Sequence, residues 1–173
     1  MERSAEAPGH NSIAQEIIDM AQADQEMRTH AISEGGEWDS GVDRRNTARL
    51  KAIIDQIGWP TKQKVGDTAS HAAWLLAQHA DDEPDFQAHC LDMMKALPEL
   101  EAERPNIAYL EDRVRVNKGL PQLYGTQFYY EGSQFGPRPV EEPDDIETRR
   151  TTMGLEPFSD YYAGMMKMYG QKP

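Results

Sequence analysis

A chain of 173 residues fits one globular domain with a substantial core better than it fits two domains. Its 30 acidic residues outnumber its 18 basic ones and give a net charge of −12, which excludes a nucleic-acid partner because phosphate binding needs a basic face. The single cysteine, Cys90, excludes an internal disulfide and a cysteine-rich zinc site, and it favours a cytoplasmic location.

The first ten residues are polar and contain proline and glycine, so we predict a disordered arm over 1–10 and one domain over 11–170. The arm lacks the apolar run of a secretory peptide, and no targeting segment is visible in it. The longest uncharged stretch, 68–80, would span about 20 Å as a helix, which is short of the roughly 30 Å that a bilayer core requires. We therefore expect no membrane partner.

Hydrophobic periodicity predicts a bundle of about six or seven helices. Apolar residues recur at helical spacing, and the third segment is apolar on nearly all sides, which is typical of a central helix. Glycine and proline residues separate the segments, and Asp67 is placed to cap the third one. The nine methionines predict a methionine-rich core. The predicted helices cover about 12–32, 43–57, 68–80, 84–97, 106–117, 146–155 and 159–168.

One segment has the spacing of strands. A run over 127–130 that contains three aromatic residues and a second run from Gln134 flank Glu131-Gly132-Ser133, which predicts a β-hairpin near 126–140. Pro137 and Pro139 limit the second run to an edge strand. The predicted fold is a mainly α single-domain bundle with this one small hairpin.

The first helix carries two charges on its apolar face. With Ile13 as reference and 100° per residue, Asp24 lies at about 20° and Arg28 at about 60°, within the stripe of Ile17 and Ala21. Charges are seldom buried without a partner or a use. The pair is either a structural ion pair or part of a polar cleft, in which Asp24 would serve catalysis and Arg28 would bind substrate.

The third helix ends in a histidine that points toward its apolar face. His79 lies at about −20° from Ala72, whereas Gln78 lies on the flank, where it could contact a substrate. Imidazole titrates near neutral pH, and the end of a helix favours a cation there. A histidine on an apolar face is commonly a hydrogen-bonded core residue, and the alternative is a general acid or base.

Polar residues also cluster around the predicted hairpin. Asp112 and Arg113 lie on the fifth helix, and Gln122, Tyr124 and Gln127 precede the first strand, where amide groups could fix a polar substrate. The alternative is a capped turn from helix to strand.

Two adjacent arginines follow an acidic loop over 141–145. Arg149 and Arg150 cannot share one helix face, so one of them, taken here as Arg150, could turn inward and hold a carboxylate or phosphate. Alternatively, both are solvated against the acidic loop.

Motifs for metals, nucleotides and nucleophiles are absent. His71 and His79 are eight residues apart on one helix, about 12 Å along its axis, so they cannot bind one ion. The sequence contains no phosphate loop, dinucleotide fingerprint or nucleophile elbow, and Cys90 lies in an amphipathic core pattern. We predict no cofactor and no metal, although a metal assembled from distant residues stays open.

Several short motifs resemble a bacterial family of unknown function. They are Gly58-Trp59-Pro60, Ala73-Trp74-Leu75-Leu76 with Gln78-His79-Ala80-Asp81, Ala108-Tyr109-Leu110-Glu111-Asp112-Arg113-Val114 and Gln122-Leu123-Tyr124-Gly125-Thr126-Gln127, with Arg149-Arg150, Gly154-Leu155 and Tyr161 as a closing motif. The resemblance covers about Ala23–Tyr162. It implies no activity, but it favours one shared site over scattered structural roles.

The residues together favour a small enzyme that uses His79 as general acid or base, oriented by Asp112 or Asp24. Arg28, Arg113 or Arg150 would neutralise an anionic substrate group, and the reaction would be that of a hydrolase or lyase. The alternative is a non-catalytic binding or accessory protein in which the charged pairs are structural. A small molecule or peptide is the expected ligand, and the Tyr/Met-rich last helix covers either a core or a second subunit; exposed methionine would favour the second.

Overall fold

The computed structural model describes residues 9–33 and 35–170. Within them, eight α-helices and one two-stranded hairpin confirm the mainly α fold, and the helix beyond the expected six or seven is a single turn. The chain divides into two compact units, unit 1 over residues 1–82 and unit 2 over residues 83–173. The predicted arm lies mostly outside the described residues, and the single domain over 11–170 stays a prediction.

Unit 1 contains four helices: α1 (His10–Ser33), α2 (Ser40–Ile57), α3 (Lys62–Val65) and α4 (Asp67–Gln78). Helix α4 contacts each of the other three helices, as predicted from the apolar residues on nearly all of its sides. Its alanines let the neighbouring helices approach closely, and the isoleucines and leucines of α1 and α2 fill the space around them. The core residues of these three helices are Ile13, Ile17, Ala21, Leu50, Ile53, Ile54, Ala69, Ala72, Ala73, Leu76 and Ala77.

Helix boundaries in unit 1 follow from capping. Asp39 begins α2 by accepting a hydrogen bond from Gly41 N at 2.8 Å, so the helix starts before the predicted Asp43. Gly58 ends α2 with a φ of 70°, a conformation that glycine adopts readily. The prediction that Asp67 caps α4 was wrong, because the helix includes Asp67 and Gly66 occupies the cap position.

Unit 2 contains α5 (Pro84–Lys95), α6 (Arg104–Asn117), β1 (Phe128–Glu131), β2 (Gln134–Pro137), a 3₁₀ turn (Pro143–Asp145), α7 (Ile146–Thr152) and α8 (Phe158–Tyr169). Helices α5 and α6 pack against each other, and α8 contacts β2 and α7. The expected methionine-rich core was wrong: among the described residues, Met94 is the buried methionine, and alanine, leucine and isoleucine supply most of the core.

The hairpin pairs its strands in antiparallel register, with Phe128 opposite Pro137 and Glu131 opposite Gln134. Gly132 supplies the positive φ of 63° in the turn. The stacked rings of Phe128 and Phe135 contact aromatic residues of α8, which fixes that helix against the strands. No helix in the described part of the chain is long and apolar enough to cross a membrane.

Candidate functional site

A buried carboxylate lies at the centre of the polar network in unit 1. Asp24 on α1 is 0% exposed, as its helical phase predicted. Both of its oxygens accept from Arg28 Nε at 3.2 Å, and Oδ2 also accepts from Gln25 Nε2 at 2.8 Å. The fourth contact joins Asp24 Oδ2 to His79 Nδ1 at 2.8 Å. The structure therefore joins Asp24, Arg28 and His79, three of the residues that the sequence singled out.

His79 reaches this carboxylate because α4 ends there. Its backbone N–H bonds to the carbonyls of Leu75 and Leu76, both at 3.2 Å, and closes the last turn of the helix. The side chain of His79 is 18% exposed and the side chain of Asp24 only 1%, so the imidazole lies between the buried carboxylate and solvent.

Arg28 has a second carboxylate partner that sequence reasoning missed. Its Nη2 atom donates to Asp43 Oδ1 at 2.7 Å, and the Trp38 ring lies 4.7 Å from the guanidinium carbon. Asp43 lies at about 20° from Leu50 on α2, inside the buried stripe, so the phase argument that found Asp24 would also have found Asp43. With two carboxylates and an aromatic face around it, Arg28 holds α1 to α2.

The two carboxylates titrate differently. Burial opposes ionisation of Asp24, but the hydrogen bonds and charges of His79 and Arg28 outweigh burial and lower its pKa to about 2. Burial raises the pKa of Asp43, with the neighbouring Asp24 acting in the same direction and Arg28 against it. Asp24 is therefore ionised at neutral pH and accepts the hydrogen bond from His79 Nδ1–H.

Unit 2 holds a second buried carboxylate with a different set of partners. Asp112 is 0% exposed and accepts from the backbone N–H groups of Leu123, Tyr124 and Thr126 at 2.7–3.2 Å. The hydroxyl of Thr126 donates to it at 2.9 Å. Burial raises the pKa of Asp112, and these donors act in the opposite direction. The carboxylate holds the 123–126 loop against α6. This arrangement matches the second alternative from the sequence, a capped turn from helix to strand.

The two glutamines of this region bond within the chain. Gln122 donates to the carbonyls of Gln127 and Arg138 at 3.0 and 2.8 Å and accepts from Gln127 N at 2.8 Å. The Gln127 side chain accepts from Arg113 Nη1 at 2.9 Å and donates to Thr126 Oγ1 at 3.1 Å. Both glutamines are buried, so these amides fix the loop entering β1.

Arg150 turns inward, and the expectation that both arginines are solvated was wrong for it. Its side chain is 1% exposed and donates to the carbonyls of Glu156 and Tyr124 at 2.7 and 2.5 Å. The ring of Tyr161 lies 5.0 Å from its guanidinium carbon. Arg149 donates to Leu123 O at 2.8 Å and to the carbonyls of the acidic loop. Both arginines thus bind backbone carbonyls.

Tyr124 contributes to a small cavity in unit 2. The cavity has a volume of about 160 Å³ and is lined by Tyr124, Thr148, Arg149, Thr152 and Met153. Burial raises the pKa of the Tyr124 phenol, as do the nearby charges of Glu111 and Asp112. Of the other predicted residues, Gln78 on α4 is buried. The predicted residues thus form two groups: Asp24, Arg28, Gln78 and His79 in unit 1, and Asp112, Arg113, Gln122, Tyr124, Gln127 and Arg150 in unit 2.

The described residues contain no cluster of three or more histidine, cysteine or acidic side chains that could hold a metal ion. Cys90 is 0% exposed, as the amphipathic pattern around it indicated.

Comparison with known proteins identifies a family but no activity. The model of a family of unknown function, DUF6624, matches residues 11–173, and the chain belongs to that family. No curated protein and no solved structure matches the chain. The family resemblance inferred from the sequence motifs is consistent with this result.

Proposed function

Because membership of DUF6624 specifies no activity, we propose from the geometry that this protein is an enzyme in which His79 acts as general base and acid, oriented by Asp24. The observation that carries the proposal is the 2.8 Å contact between His79 Nδ1 and the buried carboxylate of Asp24. Within the described part of the chain, no hydrogen bond occupies the other ring nitrogen, Nε2. A partly exposed imidazole with one nitrogen fixed by a carboxylate and the other without a hydrogen bond to the described residues is an arrangement that suits proton transfer.

The proton path follows from the charges. The ionised Asp24 accepts the Nδ1–H bond and thereby keeps the lone pair of the neutral ring on Nε2. Nε2 takes a proton from water or from a substrate hydroxyl, amine or carbon acid, and the imidazolium is then stabilised by Asp24 and by the end of α4. The same proton returns to the leaving group, so the histidine is regenerated. Asp24 is a positioning residue in this scheme.

We infer a hydrolase or lyase acting on a small polar substrate, because both reactions consist of one proton removed and one proton delivered. Arg28 already pairs with both Asp24 and Asp43, so in this scheme it acts on the electrostatics of the carboxylates and does not bind an anionic group. The contacts of Asp112, Gln122, Gln127, Arg113 and Arg150 suit holding the 123–126 loop. We place the enzyme in the cytoplasm, in line with its single, buried cysteine.

A second candidate is a non-catalytic binding or accessory protein. The observation that favours it is the position of Arg28, which joins α1 to α2 through Asp24 and Asp43. Glu16 and Arg49 add another ion pair between the same two helices, with Arg49 Nε 2.5 Å from Glu16 Oε1. In this reading the His79 contact only fixes the end of α4.

The test compares His79→Gln with His71→Gln, a control change at an exposed position of the same helix. Both variants are assayed against a panel of esters, amides, glycosides and β-elimination substrates. We expect His79→Gln to lower kcat by about 100-fold or more, with a melting temperature within a few degrees of the wild type. Turnover that survives His79→Gln on every active substrate contradicts the proposal.

The imidazole itself gives a readout that needs no substrate. Side-chain ¹⁵N spectra distinguish the two neutral tautomers, and we expect His79 to carry its proton on Nδ1. Asp24→Asn should increase the population with the proton on Nε2. A neutral His79 with its proton on Nε2 in the wild type would refute the mechanism and leave the accessory-protein reading.

A further inference from the structure

The last helix of unit 2 presents a face that no described residue of unit 2 covers. None of the 12 residues of α8 is buried, and its contacts with the rest of unit 2 are made by its aromatic residues, Phe158, Tyr161, Tyr162 and Tyr169. With Gly164 as reference, Asp160 lies at about −40°, Lys167 at about −60° and Met168 at about +40°. These four residues span about 100° of the helix surface, and the packed Tyr161 borders them at about +60°. We call this stripe the outer face, and all four of its residues are exposed.

Two properties of the outer face have no explanation within the described chain. Gly164 occupies the middle of a helix, where glycine is less favourable than alanine by about 1 kcal/mol. A Cβ added at Gly164 would meet nothing within 4 Å, so no neighbour among the described residues requires glycine. Met168 is 69% exposed, far more than a core methionine would be.

The charges on the outer face are opposite, unpaired and symmetrically placed. In the described residues, neither Asp160 nor Lys167 forms an ion pair. They are seven residues apart, about 10.5 Å or two turns, which is too far for a contact within one helix. Gly164 lies close to the midpoint between them.

We propose that α8 docks antiparallel against α8 of a second copy of this chain, around a two-fold axis near Gly164. In this arrangement Asp160 of each copy faces Lys167 of the other, because both residues lie on the same stripe at equal distances from the axis. The missing side chain at Gly164 lets the two backbones approach closely, and Met168 becomes covered. The antiparallel helix dipoles add to the attraction.

The expected dimer is weak. A 12-residue helix is about 18 Å long, and one such pair covers less than the roughly 800 Å² per partner of a standard interface. We therefore expect a dissociation constant in the micromolar range and weaker association at high salt, since the facing charges are exposed.

The experiment is sedimentation velocity on the full chain from about 10 µM to about 1 mM. We expect a concentration-dependent dimer for the wild type, a monomer for Gly164→Leu, and dissociation constants raised about 10- to 30-fold for Asp160→Lys and Lys167→Asp. Ser159→Lys, an exposed change outside the outer face, is the control for added charge and should dimerise as the wild type does.

Mixing the two charge variants separates the proposal from a folding defect. Asp160→Lys leaves only basic charges on the outer face and Lys167→Asp only acidic ones, so each variant alone repels its own copy. An equimolar mixture should form the heterodimer with at least the affinity of the wild-type dimer. A wild type that stays monomeric at about 1 mM overturns the proposal. A dimer that Gly164→Leu and the charge variants leave unchanged also overturns it, because it would use another surface.

Discussion

Replacing Asp24 by asparagine isolates the charge of the buried carboxylate while keeping its shape. The amide oxygen can still accept the His79 Nδ1–H bond, but the negative charge facing Arg28 is lost. Folding lowers the Asp24 pKa from 3.8 to about 2, and this shift corresponds to about 2 kcal/mol of folding free energy at neutral pH. We expect Asp24→Asn to lower the free energy of unfolding by that amount at pH 7.

The pH dependence has a definite sign. Because the folded-state pKa of Asp24 is lower than the unfolded one, its charge stabilises the fold above about pH 4 and loses this effect as the pH falls toward 2. The difference between wild type and variant should therefore fall to about 1 kcal/mol at pH 3. Urea denaturation of both proteins between pH 7 and pH 3 measures it.

The matched control is Asp19→Asn on the same helix. Asp19 is exposed and accepts a hydrogen bond from Gln15, so its replacement should change stability by less than about 0.5 kcal/mol at every pH. The reasoning is refuted if Asp24→Asn behaves like this control, or if its effect is as large at pH 3 as at pH 7.

Three further predictions concern unit 2. Asp112→Ala should lower the free energy of unfolding by at least about 3 kcal/mol in urea denaturation, because it leaves four donors without their acceptor. Gly125→Ala should lower the melting temperature more than Gly132→Ala; both have positive φ, but a Cβ at Gly125 would lie 2.6 Å from the Phe158 ring, whereas the one at Gly132 meets nothing. Equal losses would contradict the clash. Cys90 should resist a thiol reagent until the protein is denatured, and rapid labelling of the native protein would contradict its burial.

Helical phase predicted burial well wherever a helix lies against the core on one side. Asp24 was placed in the buried stripe of α1 by its angle alone, and it is fully buried. On α4, which has neighbours on several sides, the same angle placed Gln78 on a flank although it is buried. Periodicity predicts burial when a helix has one buried face and loses that power when most of its surface is covered.

The partners of the buried charges could not be predicted from the sequence. Asp24 and His79 are 55 residues apart, and their contact depends on how α1 packs against α4. Sequence reasoning left open whether Arg150 turns inward to hold a carboxylate or phosphate or is solvated against the acidic loop. Its actual partners are neutral carbonyls of Tyr124 and Glu156 and two aromatic rings, which no residue-type pattern reveals.

The two buried carboxylates differ in what they leave available for chemistry. Asp112 accepts hydrogen bonds from backbone N–H groups and a hydroxyl of the 123–126 loop. These donors hold the loop in place, and none of them is a side chain that commonly transfers protons. Asp24 instead bonds to a side chain that can exchange a proton, and that side chain is partly exposed. Burying a carboxylate carries a desolvation penalty in both places. Only the Asp112 arrangement is fully explained by stability, and this is the reason for proposing that His79 transfers protons and that Asp24 orients it.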